Sequence, residues 1–303
     1  MSDRVLDAAG IQDPQLRAAY EVCRKLNQEH GKTYYLATML LPPAKRPHVW
    51  ALYGFARYAD EFVDSLVNPD PDALITWGAN FLDALAGGPM PDDPAALAMI
   101  NTMRRWAIPR QHVEAFLESM QMDITITGYP RYTDLEQYMY GSASVIGLQM
   151  LPILEPQQPE AAARARALGE AFQLTNFIRD VGDDLRRGRV YLPQEDLDTF
   201  GVTRAHLERG IVTPMIRELL AFEIDRARAL YAFAEPGIDM LHPTSRDCVR
   251  TAFVLYGEIL DAVEQAGYQV LTQRVGVRLS RRFQVAVPAL RQARKTRRAL
   301  IRS

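Results

Sequence analysis

Residues 173–193 read QLTNFIRDVGDDLRRGRVYLP. Gln173, Asn176, Asp180 and Asp184 fall at i, i+3, i+7 and i+11. At about 100° per residue these positions share one side of a helix. Phe172, Leu174, Phe177 and Ile178 surround them. A run over a hundred residues earlier repeats the arrangement: ARYADEFVDS, 56–65, follows VWALYGF. Here Tyr53, Arg57, Asp60 and Asp64 share a face, amid Trp50, Leu52, Phe55, Phe62 and Val63. Polar stripes on two otherwise apolar helices are expected to meet across an interior space.

Carboxylates facing one another away from water repel and raise each other's pKa, so something positive must compensate. Mg²⁺ suits the task, because it takes one or two carboxylates and fills its octahedron with water and substrate phosphates. Arg57, Arg179, Arg186, Arg187 and Arg189 supply bidentate donors for phosphate oxygens beside the same stripes. The competing reading of either stripe alone is a surface salt bridge, such as Arg57 with Asp60 at i+3. Two matching stripes with clustered arginines and Asn176 favour the interior site.

The surrounding chain agrees with a helical protein. The 303 residues are 48% hydrophobic and 24% charged, the balance of a soluble globular protein with a sizeable core. A formal net charge of −2 gives no reason to expect nucleic-acid binding. The two cysteines, Cys23 and Cys248, form no CxxC and join no histidine cluster. That argues against zinc or a disulfide framework and suits a reducing cytoplasm. MSDRVLDAAG lacks a basic segment followed by an apolar core, so no signal peptide is expected. The longest apolar window, VIGLQMLPIL, is too short to span a membrane.

Helical periodicity runs through PQLRAAYEVCRKLNQEH, PPAKRPHVWALYGFARYADEFVDSL, PDALITWGANFLDALAGG and PRQHVEAFLESMQMDIT. It continues in YTDLEQYMYGSASVIGLQMLPIL, PEAAARARALGEAFQLTNFIRDVGDDL, PMIRELLAFEIDRARALYAFAE and SRDCVRTAFVLYGEILDAVEQAG. No alternating strand and no GxGxxG appears. The expectation is one all-α domain over 1–303, with roughly eight to ten helices around a central cavity. From Arg274 onward there are ten Lys/Arg and no Asp/Glu. This basic tail reads either as a solvated helix end or as a patch attracted to an anionic membrane surface.

The two stripes resemble the aspartate-rich DxxxD motifs of the squalene/phytoene synthase family: Asp60 and Asp64, then Asp180 and Asp184. The resemblance extends to GKTYYLATMLLPPAKR, YMYGSASVIGLQML and LYGEILDAVEQAGYQVLTQR, covering most of the chain, and the bacterial phytoene synthases look nearest. Three positions depart from the family pattern. Glu61 stands where many members carry a second adjacent aspartate. Thr33 replaces a serine near the diphosphate site, and Ser142, Ala143 and Ser144 replace a common Val-Ala-Gly on the helix expected to line the prenyl tunnel.

The resemblance implies an isoprenoid-synthase helical bundle and a Mg²⁺-dependent prenyltransferase of carotenoid biosynthesis, with Mn²⁺ as a substitute. Two geranylgeranyl diphosphates would condense head to head through a cyclopropyl (prephytoene) diphosphate to phytoene, without NADPH. The implied metal ligands are Asp60, Asp64, Asp180 and Asp184, with Asn176 and Glu61 supporting. Arg57, Arg189, Arg179, Arg46, Lys32, Thr33, Asn176, Gln173, Tyr191 and Tyr256 would bind diphosphate, with Tyr53 beside them. The protein would be cytoplasmic, with peripheral contact at the inner membrane face through its basic tail.

Met39, Met139 and Met150, and the tyrosines 34, 35 and 140, read as packing residues, and the five histidines carry no assigned role. Three alternatives stay open: a presqualene diphosphate or squalene synthase using farnesyl diphosphate, a class I terpene cyclase, and a helical assembly factor.

Overall fold

The computed structural model describes residues 2–64 and 70–302. Among them are fifteen α-helices and no strand. α1 (Ser2–Ala8), α2 (Pro14–His30) and α3 (Lys32–Thr38) lead through a 3₁₀ turn into α4 (Arg46–Asp64). α5 (Pro71–Leu85), α6 (Pro94–Trp106) and α7 (Arg110–Thr125) follow. α8 (Tyr132–Met139) and α9 (Val145–Leu154) are joined without a break by a π-helical turn, Tyr140–Ser144. Next come α10 (Ala161–Arg186), α11 (Gln194–Thr199) and α12 (Arg204–Glu208). α13 (Pro214–Ala234), α14 (Pro243–Gln265) and α15 (Leu279–Arg302) close the described chain.

Several helices start by one device. Asp13, Asp70, Asp93 and Thr213 each accept a hydrogen bond from the backbone N–H three residues on, and each is followed by proline. The cap satisfies an orphan donor, worth about 1 kcal/mol, and proline presets φ where no donor is needed.

α10 is the spine. It packs on α13, α9, the π-helical turn and α14. Two glycines bring its backbone close to the neighbouring wall. A Cβ on Gly169 would lie 2.4 Å from the Ala143 carbonyl, and one on Gly147 2.3 Å from that of Ala165. Fully buried Phe55, Phe81, Phe116, Met99 and Ile100 fill one side of the core. A second cluster centres on Ile178, Leu219, Leu220, Ile224 and Val263.

The basic carboxy-terminal region is not a free tail. Residues 269–278 form an irregular strap, pinned by the Gly182 N–H donating to the Val270 carbonyl at 3.2 Å. α15 then packs back on α14 through buried Ala286 and Ala293, and Arg281 pairs with Glu258 at 2.6 Å. No helix among the described residues is long and apolar enough to cross a membrane.

Candidate active site

The polar stripes of α4 and α10 line one cavity of about 840 Å³. Tyr53, Arg57 and Asp60 enter from α4, and Gln173, Asn176, Arg179, Asp180 and Asp184 from α10. Lys32 and Thr33, at the start of α3, and Tyr256, on α14, complete its wall. Tyr34 stacks on Tyr256 with centroids 4.8 Å apart and faces the same space.

The end of α10 delivers two more groups. Gly188 takes a left-handed φ of +82°, which glycine alone adopts without penalty, and its N–H donates to the Leu185 carbonyl at 3.0 Å. The chain then turns back, and the Val190 N–H donates to the Thr127 carbonyl at 2.8 Å. This lays Arg189 and Tyr191 against the end of α7. Arg189 donates to the Asp123 carbonyl at 3.0 Å, while Tyr191 and Tyr138 donate to the two Asp123 carboxylate oxygens at 3.1 and 2.7 Å. Arg187, Arg189, Tyr191 and Asp123 all face the cavity.

Asp180 sits between two guanidinium groups. Arg179 donates to both of its oxygens, and Arg274 does the same from the strap at 2.9 and 3.1 Å. Burial works to raise the Asp180 pKa. The hydrogen bonds and charge of Arg179, then of Arg274, outweigh it and hold the carboxyl below its usual range. In this state arginine supplies the positive charge that the stripes require.

A second cavity, of about 340 Å³, adjoins the first and runs away from the charge. Tyr34, Tyr53, Asp60, Ser142, Gln173 and Asn176 line both. Beyond them the wall is mainly apolar, with Asn27, Thr38 and Arg164 as its polar members: Val49, Leu52, Ile146, Met150, Leu151 and Leu168, continuing to Ile238 and Leu241. Cys248 lies in this wall, and burial pushes its thiol up to about 12. It therefore stays neutral there. A charged chamber opening on an apolar tunnel fits a ligand with a diphosphate head and a long hydrocarbon chain.

Several expected residues lie elsewhere. Arg46 spends its guanidinium on the Leu41 and Met39 carbonyls, at 2.9 and 2.8 Å, and does not line the chamber. Those carbonyls follow α3 and lack helical partners, which is why a half-buried arginine turns to them. Glu61 is exposed and pairs with Arg57 at 2.6 Å outside the chamber wall. One residue past Asp60, it points about 100° away from the stripe. Arg186 faces solvent and pairs with Asp183. The side chain of Asp64 lies outside the described residues. In the π-helical turn Ser142 faces the cavities, whereas Ser144 is fully buried and donates to Glu170 at 2.6 Å.

The donor set suits a hard cation. Asp60, Asp180 and Asp184 offer carboxylate oxygens, and the buried Asn176 Oδ1, between them, has no hydrogen-bond partner. No three His, Cys, Asp or Glu side chains among the described residues converge enough to hold a metal by themselves. A cation here would depend on oxygens of its substrate, which is the habit of Mg²⁺.

The family model described as squalene/phytoene synthase matches residues 27–282. The chain belongs to the squalene/phytoene synthase family. It is 38% identical over 274 residues to a phytoene synthase of Arthrospira platensis, covering 86% of this chain and 88% of that one. It is 38% identical over 273 residues to the 15-cis-phytoene synthase of Synechocystis sp., covering 86% and 80%. Among solved structures it superposes on a dehydrosqualene synthase in complex with ligand, with a TM-score of 0.84 at 28% identity. That match covers 92% of this chain and 98% of the other.

Within this squalene/phytoene synthase chain the sequence stripes do not point to Asp123, Tyr138, Arg274 or Ser142 as chamber residues. Asp123 carried a signal of its own: Phe116, Met120 and Asp123 stand at i, i+4 and i+7, and all three line the chamber. Arg274 carried none, because only the strap's path over α10 brings it to Asp180.

Proposed function

We propose that the chain is a phytoene synthase, a prenyltransferase joining two geranylgeranyl diphosphates through their first carbons. One observation carries this reading: two carboxylate stripes face a single arginine-rich chamber that opens on an apolar tunnel. The phytoene synthases among its relatives support the product.

Asp60, Asp180 and Asp184, with Asn176 and with Asp64 at the end of the same α4 stripe, would hold Mg²⁺, or Mn²⁺ in its place. Bound metal supplies Lewis-acid neutralisation of the departing diphosphate. Arg57, Arg187, Arg189 and Lys32 grip the phosphate oxygens, and Tyr53 and Gln173 orient them at the tunnel entrance. The diphosphate leaves with the bonding electron pair, and the cation on the remaining chain is attacked by the second chain's double bond. Proton loss to diphosphate gives the cyclopropyl intermediate. A second departure and rearrangement, followed by proton loss, yield phytoene without a reductant. The tunnel's apolar walls keep water from the cations, and neutral Cys248 offers no thiolate to trap them.

The alternative is condensation of farnesyl diphosphate to the presqualene–squalene series, which the likeness to a dehydrosqualene synthase keeps in view. Purified protein given geranylgeranyl or farnesyl diphosphate with Mg²⁺, with and without NADPH, tests the choice. Phytoene from the longer substrate, independent of NADPH, is expected. A hydrocarbon formed only from farnesyl diphosphate overturns it.

The strap and α15 suit a peripheral place on an anionic membrane. Leu279, Phe283 and Val287 make an exposed apolar stripe at i, i+4 and i+8 on an arginine-rich helix beginning beside the chamber mouth. Co-sedimentation with anionic but not zwitterionic vesicles, lost in Phe283→Asp, is expected. Equal sedimentation of that variant refutes it.

A further inference from the structure

Asn27 is fully buried, yet neither Oδ1 nor Nδ2 of its side chain has a hydrogen-bond partner. Leaving a buried carboxamide unpaired costs about 1–3 kcal/mol. The other large or polar groups buried on α2 are accounted for: Tyr20 bonds Asn101 and Thr102 at 2.8 Å, and Cys23 packs as a small apolar group. Asn27 therefore stands out as a folding cost without a structural return.

Its position suggests what offsets that cost. Asn27 lines the tunnel with Tyr34, Leu52 and Tyr53. A Cβ on Gly31 would meet the Tyr53 ring at 2.6 Å and the Asn27 amide nitrogen at 3.0 Å. The carboxamide thus lies beside the Tyr53 ring, and Tyr53 also lines the chamber. Asn27 marks the tunnel end next to the diphosphate site, where a prenyl chain has no donor or acceptor to offer it. The exception is a carbon that carries positive charge.

We propose that Asn27 is a catalytic residue that stabilises the carbocation formed when the second diphosphate departs. The inference rests on the prenyl-coupling reading above. A carboxamide oxygen is the negative end of a strong dipole but a weak nucleophile, so it stabilises a cation without capturing it. No bond forms to Asn27: the electron pair leaves with the diphosphate and the cation rearranges within the tunnel. With neither end tied, the amide can turn Oδ1 toward the charge. The backbone beneath it is fixed, because the Asn27 carbonyl accepts from the Gly31 N–H at 2.9 Å. A dipole held in apolar surroundings acts far more strongly than in water.

The test compares Asn27→Leu, similar in volume but without the dipole, with the unaltered protein in one product assay. The cyclopropyl diphosphate is expected to accumulate relative to hydrocarbon by about ten-fold or more. Substrate KM should stay within about two-fold, and the melting temperature should hold or rise, since an unpaired amide is gone. An unchanged ratio of intermediate to hydrocarbon in folded Asn27→Leu overturns the proposal. Asn27→Ser keeps a smaller dipole and should give an intermediate ratio, so a failure of the leucine variant to fold does not end the test. A ratio for the serine variant equal to that of the unaltered protein also overturns it. Absence of any product from the unaltered protein would instead strike the coupling reading itself.

Discussion

The chamber and the tunnel are built from the same helices but by opposite means. α4 sends Arg57 and Asp60 into the chamber and Val49 and Leu52 into the tunnel; α10 sends Asp180 and Asp184 one way and Leu168 the other. Along each helix the inward face changes from charged to apolar within about two turns. One bundle thereby separates charge neutralisation from cation protection, and Tyr53, Gln173 and Asn176 stand at the boundary. The chamber decides whether diphosphate leaves, and the tunnel decides which hydrocarbon forms.

The largest effect belongs to the chamber. Asp60→Ala should lower turnover by about a thousand-fold, read as pyrophosphate release, while circular dichroism stays that of the unaltered protein. Appreciable turnover would separate the α4 stripe from the chemistry.

A tunnel change should act on selectivity instead. Ser142→Phe fills the entrance and should shift the ratio of kcat/KM for geranylgeranyl over farnesyl diphosphate by about a hundred-fold toward the shorter chain. Ser144→Ala, two residues on but buried against Glu170, should leave that ratio alone and cost about 1–2 kcal/mol in urea unfolding. If both variants behaved alike, the assignment of the two serines to different faces would fail.

The strap offers a smaller effect. Arg274 occupies the Asp180 oxygens, so Arg274→Gln removes a competitor for any cation there. Mn²⁺ binding without substrate, followed by paramagnetic resonance, should tighten by roughly two-fold, for an exposed ion pair worth about 0.5 kcal/mol. Weaker binding would mean that Arg274 positions Asp180 rather than blocking it.

The smallest expected effect on catalysis lies outside both cavities. Glu223 on α13 is fully buried beside Arg226 and Asp196, and burial above all pushes its carboxyl up to about 7. Its folded pKa lies above its unfolded value, so the folded state holds the proton longer. Stability should therefore fall as pH rises from the ordinary glutamate range toward 7, and level off above it. Thermal unfolding across that window should show the slope, and Glu223→Gln should flatten it without changing turnover. An equally steep slope in the variant would assign the dependence to another group.

The same contrast explains what the sequence disclosed. Polar residues on apolar helices announce themselves, so Tyr53, Arg57, Asp60, Gln173, Asn176, Asp180 and Asp184 were legible from spacing, and the motifs named the family. The tunnel was not, because its lining of Ala, Leu, Ile and Met is also the composition of an ordinary core. Met150 and Tyr34 read as packing residues, yet both face the cavities. α6 showed no stripe because residues 95–100 are buried on every side between other helices. Glu61 carried the right chemistry one residue off the face that matters, and Arg46, two turns before Tyr53, spends its guanidinium on the Met39 and Leu41 carbonyls. Arg274 belonged to a segment whose path only tertiary packing sets.

The central claim is that the α4 and α10 carboxylates act together on one diphosphate. Calorimetric titration of Mg²⁺ with inorganic pyrophosphate into the unaltered protein, Asp60→Ala and Asp184→Ala tests it directly. Pyrophosphate-dependent binding should appear in the unaltered protein and vanish in each variant. Full binding in either variant would mean that one stripe suffices, contradicting the shared chamber.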